Sequence, residues 1–439
     1  MVSADTITAY ELPLRQRIGL ASLLGLFITV CCLTFALGAR DYRSAYIFFD
    51  ADRLHYAVFT IAAFATVSLL FVSSRFTFGY FAGFYCYTMI LGYLWLNCFS
   101  PFKYDHGIAG ASAALSAVAF LLPAMLITSP VRQLYVLSDR AMDRLLASIL
   151  LFTACVAAIS AFYNFRLISV NDIYSYREQL RFPTVVNYAT AASLSVLLPY
   201  AFAGFFTRKK YFWAGVALLI SVSFYPSTLS KVALFAPAWL IMFALLERIS
   251  GARIAVILSL LLPALVGIIL FISFHDQSAR YFNIVVLRMI IAPSSAMDFY
   301  NEYFARNDLT HFCQILILKP IISCSLELPL SVEMANNYGL GNMNASLFAT
   351  EGIASVGPLF APVTAFVGGL IISIGNRLSA GLPTNFVLIS SAILPQILLN
   401  VPLTTTLLTH GMAFLFLLWY VTPRTMFGQD AAGRTAAAP

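Results

Sequence analysis

Two arginines four residues apart are the first candidates for chemistry in this sequence. Arg177 and Arg181 lie in the stretch SYREQLRFP. On one helical turn, both guanidinium groups project from the same side, which suits the non-bridging oxygens of a phosphate or diphosphate. Glu178 and Asp172 are close in sequence and could act as bases. The alternative interpretation is an amphipathic surface helix with an internal Arg–Glu pair.

A second set of basic and aromatic residues follows further along the chain. Arg280 and Arg288 are eight residues apart, and the spacing predicts that they share one side of a helix that Pro293 ends. The aromatic run FYNEYF comes next and contains Tyr300 and Tyr303. Such rings either stack on sugars or anchor a helix at the depth of the lipid headgroups.

A third candidate segment reads NNYGLGNMNASLFATEG. Its glycines permit tight turns, and the amides of Asn342 and Asn344 offer the paired donors and acceptors that suit a polyhydroxylated ligand. Glu351 is the only acid at the start of the apolar stretch that follows, a position that indicates function. Asn-rich segments are also ordinary turn formers.

Lys231 follows STLS at a predicted helix start, where it either binds an anion or extends to the headgroups.

The motifs of several other chemistries are missing from the sequence. It has no HEXXH, no CXXC pair, no Gly-rich phosphate loop and no Gly-x-Ser-x-Gly elbow, so zinc hydrolysis, nucleotide hydrolysis and a serine acyl-enzyme lack their parts. The five histidines are scattered, which predicts no metal site and no cofactor. His275 or His311 could still serve as a single general base.

The elements that must position these residues follow from the composition. Of 439 residues, 60% are hydrophobic and 10% are charged, against about 45–50% and about 25% in soluble domains. Mean hydropathy is +0.85, and uncharged runs recur that are long enough to cross a hydrocarbon core about 30 Å thick. The sequence therefore predicts a polytopic membrane protein and excludes a soluble enzyme, a fibrous protein and a disordered chain. Because the cations lie between apolar spans, membrane topology explains the net charge of +7 better than nucleic acid does.

The expected fold is all-α, a single integral-membrane domain over residues 1–439. The apolar runs predict twelve membrane helices, at about 18–38, 56–74, 76–98, 110–128, 145–163, 184–206, 211–229, 231–246, 254–273, 352–375, 385–401 and 405–422. An even number of crossings puts both termini on the same side of the membrane.

Orientation follows from the lysines and arginines. With the N-terminus inside, 14 of the 26 cations lie in inner segments and 12 in outer ones. Lysine and arginine usually stay on the cytoplasmic side, so the 12 outer cations require a partner there. Two outer segments are long, 164–183 and 274–351, and the second has apolar stretches at Phe282–Ile291 and Phe312–Leu330 that predict short helices. It also contains Cys313 and Cys324, and the sequence leaves open whether they pair.

Taken in order, these features resemble the bacterial oligosaccharide repeat-unit polymerases, the O-antigen polymerases of the Wzy type, which are related to the O-antigen ligases. The resemblance covers roughly residues 165–365 and is most specific over 280–357. Its elements are Arg177 and Arg181 ahead of a helix, the pair Ser230 and Lys231 at a helix start, Arg288 followed by Pro293 and the aromatic run, and NMNASLFATEG before a Gly-spaced helix.

The resemblance implies a GT-C-like helical enzyme that polymerises repeat units carried on undecaprenyl pyrophosphate. The growing glycan would be transferred to a hydroxyl of a second lipid-linked unit on the periplasmic face of the inner membrane, with both termini cytoplasmic. Implied partners are the lipid-linked donor and acceptor, membrane lipid and a chain-length regulator, and no nucleic acid. A diphosphate leaving group needs cations rather than a general acid, and such stabilisation contributes about 2.7–4 kcal/mol per well-placed donor.

The predicted roles can be stated residue by residue. The expected sugar contacts are Tyr300, Tyr303, Asn342 and Asn344. The expected diphosphate ligands are Arg177, Arg181, Lys231, Arg280 and Arg288. The acceptor hydroxyl needs a base, and Glu351, His311 and Asp172 remain open for that role.

Two rival functions remain at this stage. An O-antigen ligase would use the same chemistry on a different acceptor. A flippase or another transporter would carry charges within its helices, lining a cavity at the midplane. In this sequence the charges gather in the outer segments instead, which disfavours transport.

Overall fold

A computed structural model describes most of the chain. The described residues are 13–41, 46–168, 176, 180–273, 283–315, 318–324, 326, 328–339 and 344–427, with the backbone but not the side chains of residues 41, 283–285 and 288. Helices make up 78% of the structure, and the described residues contain no strand. The all-α prediction is therefore confirmed.

Sixteen helices form the described part of the fold. They are α1 (Leu14–Asp41), α2 (Ala51–Ser73), α3 (Phe78–Phe99), α4 (His106–Leu126), α5 (Asp139–Tyr163), α6 (Thr184–Thr207), α7 (Tyr211–Ser223), α8 (Lys231–Ser250), α9 (Ala252–Ser273), α10 (Ala292–Phe304), α11 (Leu330–Tyr338), α12 (Phe348–Ser379), α13 (Thr384–Ser390), α14 (Leu394–Asn400), α15 (Leu403–Leu408) and α16 (Met412–Val421). A helical segment at Asn283–Ile291, just ahead of α10, and short turns at Tyr225–Thr228 and Arg424–Phe427 complete them.

Eight of these helices are long and apolar enough to cross a membrane, namely α1, α2, α4, α5, α6, α8, α9 and α12. The chain is therefore a polytopic helical membrane protein. The other four predicted spans also fall on helices, but α7 has only 13 residues. The last two predicted spans are each divided between two short helices. Helix α3 is long, yet its four tyrosines and its glycines lower its hydropathy.

Helix α3 is the centre of the bundle. Every residue from Phe78 to Leu96 is buried, and the helix packs against α1, α2, α4, α10, α12 and α14. A helix that is covered all round needs no lipid-facing side and can carry polar side chains on any side that meets a partner. This explains why its tyrosines are tolerated at the centre of the molecule.

Close backbone approaches hold α12 against α3 and α4. A methyl group built on Gly369 would lie 2.2 Å from the carbonyl oxygen of Phe120, and one on Gly79 would lie 1.8 Å from that of Ala124. Buried Asn376 adds a polar clamp, because its Nδ2 donates to the Ala124 carbonyl at 2.7 Å and its Oδ1 accepts from the Gly79 amide at 2.6 Å. Small residues let helices approach to this distance.

Three helical segments adopt π geometry, at Ser193–Leu197, Asn283–Ile291 and Phe348–Ala354. The second leads directly into α10, so the prediction that Pro293 ends a helix is wrong. Proline lacks the amide hydrogen that an α-helix needs, and the wider π turn before it tolerates that loss. Helix α12 starts with the third π turn and bends at Gly357 (φ +76°), which precedes Pro358.

The predicted short helices in the segment 274–351 are only partly present. The described residues from 311 to 324 form turns closed by a disulfide between Cys313 and Cys324, and α11 starts only at Leu330. The bond settles the pairing that the sequence left open. It also explains the missing helix, because a bridge between residues 11 apart folds the backbone back on itself.

The helix ends gather on two opposite faces. The basic face is formed by residues 74–77, 127–143, 208–211, 251–253, 377–384 and 421–424. There Arg253 Nη1 donates to the Ser74 carbonyl at 3.2 Å, and Asp143 pairs with Arg208 and Lys210. The carboxylate face is formed by residues 46–53, 100–105, 298–312, 344–351 and 401–411. It contains the polar network described below.

The close approach at Gly369 gives a testable prediction. Gly369→Ala places a methyl group against backbone that cannot move aside, and overpacking of this kind costs about 1–3 kcal/mol. Gly25→Ala in α1 is the matched control, because nothing lies within 4 Å of the added methyl group. We expect thermal unfolding in detergent to show a lower midpoint for Gly369→Ala and an unchanged or slightly higher one for Gly25→Ala. Equal midpoints would show that α12 and α4 are not in close contact.

Candidate functional site

Helix α10 places three polar side chains on a buried surface. Asp298, Asn301 and Glu302 are 3%, 6% and 4% exposed, and every residue of α10 from Pro293 to Phe304 is buried. Spacings of three and four residues put these side chains on one side of the helix. Helix α10 packs against α3 and the first turn of α12, so the three polar groups must find partners inside the protein.

Asp298 finds its partners in the connection between α3 and α4. The Tyr104 hydroxyl donates to Asp298 Oδ1, and Ser100 also hydrogen-bonds this carboxyl. Burial raises the pKa of Asp298 to about 6, although both hydrogen bonds act in the opposite direction. Within the described residues, Asp298 has no cation at salt-bridge distance. It is therefore a carboxyl that can exchange a proton near neutral pH.

The hydrogen-bond network continues from Asp298 in two directions. The Tyr104 hydroxyl lies 3.0 Å from Asn97 Oδ1, which in turn lies 2.8 Å from His106 Nδ1. His106 Nε2 faces the Phe102 carbonyl oxygen at 3.0 Å, so both ring nitrogens lie within hydrogen-bond distance of an oxygen atom. A chain of polar contacts therefore joins Asp298 to the His106 ring at the start of α4.

The second branch of the network returns to α10. Tyr93 on α3 lies 3.4 Å from the Tyr104 hydroxyl and accepts a hydrogen bond from Asn301 Nδ2 at 3.0 Å. The same amide nitrogen donates to the Met297 carbonyl at 2.9 Å. Satisfied networks of this type fix side-chain positions, and so this side of α10 is rigid.

Glu302, one turn further along α10, has a different set of partners. Its Oε2 accepts from the Tyr338 hydroxyl of α11, and its Oε1 pairs with Arg306. The Arg306 side chain is 63% exposed, whereas that of Glu302 is 6% exposed. One carboxylate oxygen is therefore neutralised from the surface and the other is held by a phenol.

Glu351 lies at the same face, in the π turn that opens α12. It is 7% exposed, and its Oε1 accepts from both the backbone amide and the hydroxyl of Thr404, at 2.9 and 3.0 Å. These bonds cap the first turn of α15 with a carboxylate, as the helix dipole favours. Its other oxygen, Oε2, is buried with no hydrogen-bond partner in the described structure. Tyr300 of α10 is close enough to interact electrostatically with Glu351.

Four aromatic rings from four segments pack together beside the carboxylates of α10. Phe299 of α10 lies against Tyr338 at 4.8 Å between ring centroids, against Phe102 at 5.3 Å and against Tyr46 at 5.7 Å. Tyr46 is the most exposed of the four, at 37%. We call these residues the aromatic cluster; it includes Phe299, next to Asp298 in the chain, and Tyr338, which hydrogen-bonds Glu302.

The predicted diphosphate ligands are only partly described. Arg177 and Arg280 lie outside the described residues, as do the predicted base Asp172 and the predicted sugar contact Asn342. Only the backbone of Arg288 is described.

The two other predicted cations, Arg181 and Lys231, occur in neighbouring segments. Arg181 is exposed, and its carbonyl accepts from Asn164 Nδ2 at 3.1 Å. The amide of Arg166 donates to the Pro226 carbonyl at 2.8 Å, five residues before Lys231. These backbone contacts link the connection that contains Arg181 to the one that precedes Lys231.

The remaining predicted residues have mixed environments. Tyr300 and Tyr303 are buried in α10, at 1% and 8% exposed, rather than lying on an open belt. His311 is exposed with φ +46°, next to Thr310, whose amide donates to the Ala354 carbonyl at 2.8 Å. Asn344 is exposed just before the π turn of Glu351. His311 therefore follows a residue that contacts the π turn of Glu351, and Asn344 lies shortly before that turn in the chain. Neither side chain forms a hydrogen bond with Glu351 in the described structure.

Sequence reasoning missed Asp298, Asn301, Glu302 and Tyr104 as site residues. The signal was present in DFYNEYF, where two acids and an amide recur at helical spacing between aromatic residues. The tyrosine partner gave no such signal, because only the folded chain brings Tyr104 to Asp298.

In the described part of the chain, no group of three or more His, Cys, Asp or Glu side chains could hold a metal ion. The site residues are carboxyl, amide, phenol and imidazole groups, chemical types that can hydrogen-bond to hydroxyl groups and exchange protons.

Comparisons with known proteins identify no relative of this chain. No protein-family model, no curated protein and no solved structure matches this chain. The fold and the site therefore define its class: a polytopic helical membrane protein with buried, hydrogen-bonded carboxyl groups at one face.

The raised pKa of Asp298 predicts a pH-dependent stability. The folded protein binds this proton more tightly than the unfolded chain, whose Asp pKa is about 3.9. The contribution of Asp298 to stability is therefore fully present below about pH 4 and is lost as the pH rises through about 6. The loss amounts to about 3 kcal/mol. We expect Asp298→Asn to remove this slope from thermal unfolding midpoints measured between pH 4 and pH 7.

Asp308 provides the control for this measurement, because it is exposed on the same face. Asp308→Asn should keep the slope of the parent protein. If Asp298→Asn also keeps that slope, Asp298 is not the group that takes up the proton.

Proposed function

We propose that this chain is a membrane-embedded glycosyltransferase that polymerises lipid-linked oligosaccharide repeat units for a surface polysaccharide. The observation that carries the proposal is the buried carboxyl group of Asp298, hydrogen-bonded to Tyr104 and unpaired with any described cation, at one face of a helical membrane protein. Glycosyl transfer to a hydroxyl needs such a group as a general base. The resemblance in sequence supplies the substrate class.

The proposed reaction exchanges one bond to the anomeric carbon for another. The acceptor hydroxyl loses its proton to a carboxylate, and its oxygen bonds to the anomeric carbon of the donor glycan. The bond from that carbon to the diphosphate oxygen breaks, and the electron pair leaves with the polyprenyl diphosphate. Asp298, Glu351 and His311 are the base candidates with described side chains, and Asp172 stays in the set.

Cations stabilise the leaving diphosphate in this proposal. Arg177, Arg181, Arg280 and Arg288 supply guanidinium groups that match paired phosphate oxygens, and Lys231 supplies a point charge. Each well-placed donor stabilises the transition state by about 2.7–4 kcal/mol. This chemistry requires no metal ion and no cofactor.

The aromatic cluster and Asn301 support the assignment to sugar chemistry. Aromatic rings offer an apolar surface with a polar edge, and a neighbouring amide donates and accepts hydrogen bonds, as sugars require. In this proposal Tyr300 and Tyr303 act from within α10, by holding the helix in place, and Asn342 and Asn344 contact the glycan.

We place the carboxylate face on the periplasmic side of a bacterial inner membrane, with twelve crossings and both termini cytoplasmic. Two observations support this orientation. The connections of the basic face are rich in arginine, as cytoplasmic loops are. The Cys313–Cys324 disulfide belongs to the carboxylate face, and disulfides persist in oxidising compartments. The proposed partners are the lipid-linked donor and acceptor, membrane lipid and a chain-length regulator, and no nucleic acid.

Surface glycan from a strain lacking the gene tests the function. Complementation with the parent gene should restore a ladder of polymer lengths on a gel. Asp298→Asn or Glu351→Gln, whichever removes the base, should reduce polymer by about 100-fold or more, because loss of a general base costs 10²–10⁴-fold in rate. Asp308→Asn is the matched control and should restore the ladder.

The deletion strain itself separates polymerase from its rivals. A polymerase deletion leaves single repeat units on the final acceptor, whereas a ligase deletion leaves free lipid-linked polymer. A flippase deletion leaves undecorated acceptor with repeat units trapped inside. Immunoblots of membranes and size-exclusion profiles in detergent confirm that each variant is folded. A full ladder from folded Asp298→Asn and Glu351→Gln variants would rule out both as the base.

Cysteine labelling tests the orientation independently of activity. In a chain whose native cysteines are replaced by serine, a membrane-impermeant maleimide applied to spheroplasts should label Lys103→Cys and should label Lys209→Cys only after lysis. Both positions are exposed, and they lie on the carboxylate and basic faces, respectively. In the parent chain, Cys313 and Cys324 should react only after reduction. Labelling of Lys209→Cys in intact spheroplasts would reverse the orientation.

A further inference from the structure

A groove opens sideways between α12 and α16, away from the carboxylates. Its volume is about 650 Å³, and its walls are apolar. On α12 the lining side chains include Ile371, Ile374 and Leu378, and on α16 they include Phe416 and Leu417. The spacing of these residues places the groove along the helices, not across them.

The groove is about two thirds as long as one leaflet of a membrane is deep. Residues 371 to 378 of α12 and 413 to 420 of α16 line it, and seven residues of helix rise about 10 Å. Half of a hydrocarbon core is about 15 Å thick. The groove therefore covers much of the depth of one leaflet, starting from the basic face.

The end of the groove at the basic face is closed by a non-helical strap, residues 127–138. The Leu134 amide donates to the Tyr420 hydroxyl at 2.7 Å, and the Val131 amide donates to the Arg377 carbonyl at 3.3 Å. The strap is thus fixed to both α16 and α12. It carries exposed apolar side chains, with Leu134 85% and Tyr135 63% exposed, which is typical of a segment that lies in the interfacial layer of a membrane.

The groove has a single charged lining residue, Arg132 of the strap. The strap contains no acid. Arg377 lies beside it, exposed, with its Nε donating to the Ser129 carbonyl at 3.2 Å. Two guanidinium groups therefore stand at headgroup depth where the apolar groove ends, and basic pockets of this kind on the cytoplasmic side bind anionic lipid headgroups.

We propose that this groove binds one anionic phospholipid of the leaflet on the basic face. An acyl chain lies between α12 and α16, and the phosphate contacts Arg132. The site is independent of the proposed glycosyl transfer, because Arg132 and the strap belong to the opposite face from Asp298 and Glu351.

Native mass spectrometry of delipidated protein in detergent tests the proposal. We expect one phosphatidylglycerol to bind at least fivefold more tightly than phosphatidylcholine, because one arginine near the surface contributes about that factor for an anionic lipid. Arg132→Gln should remove this preference. Arg140→Gln is the matched control, since Arg140 is exposed on the same face but does not line the groove; it should keep the preference.

A second pair of variants tests the apolar part of the site. Leu417→Trp fills the groove and should weaken phosphatidylglycerol binding, whereas Leu219→Trp, exposed on α7 outside the groove, should not. Equal effects of Arg132→Gln and Arg140→Gln would overturn the proposal in favour of diffuse charge attraction. Tight binding of a polyprenyl phosphate that phosphatidylglycerol cannot displace would overturn the choice of lipid.

Discussion

The carboxylate face is organised around one physical constraint, the burial of its carboxyl groups away from water. A carboxylate in an apolar interior must receive hydrogen bonds or take up a proton. Asp298 and Glu302 meet this requirement through phenols that arrive from separate connections, Tyr104 after α3 and Tyr338 at the end of α11. The positions of both connections therefore depend on two side chains of α10. The aromatic cluster then follows, because the same connections bring Phe102 and Tyr46 against Phe299.

The π turns make this arrangement compatible with a helical bundle. A π turn adds one residue to a helical turn, so it rotates the residues that follow and leaves polar backbone groups available. One such turn leads into α10, and another contains Glu351. Without the first, Asp298 would face a different neighbour. With the second, Glu351 reaches the start of α15 instead of continuing the lipid-facing side of α12.

The sequence predicts the general architecture well and the site poorly, for a physical reason. Apolar runs long enough to span a membrane are local features, and so all twelve predicted windows fall on helices, although only eight are long and apolar enough to span unaided. The site depends on contacts between distant segments. Helical spacing within DFYNEYF could have identified the acids, whereas the pairing of Asp298 with Tyr104, 194 residues apart, has no local signature. Pro293 misled for a similar reason, because the π turn that accommodates it depends on tertiary packing.

The two faces of the bundle use charge in opposite ways. On the basic face, arginines cap helix C-termini: Arg424 donates to the carbonyls of Leu378 and Trp419, and Arg253 donates to that of Ser74. The helix dipole favours cations at these ends, so their presence there needs no substrate. On the carboxylate face, Asp298 and Glu351 are buried with no described cation beside them, which fold stability alone would select against. A cost in stability that packing does not explain is expected where a protein performs chemistry. This difference between the faces is the reason for proposing the chemistry at α10 and the first turn of α12 rather than at the basic face.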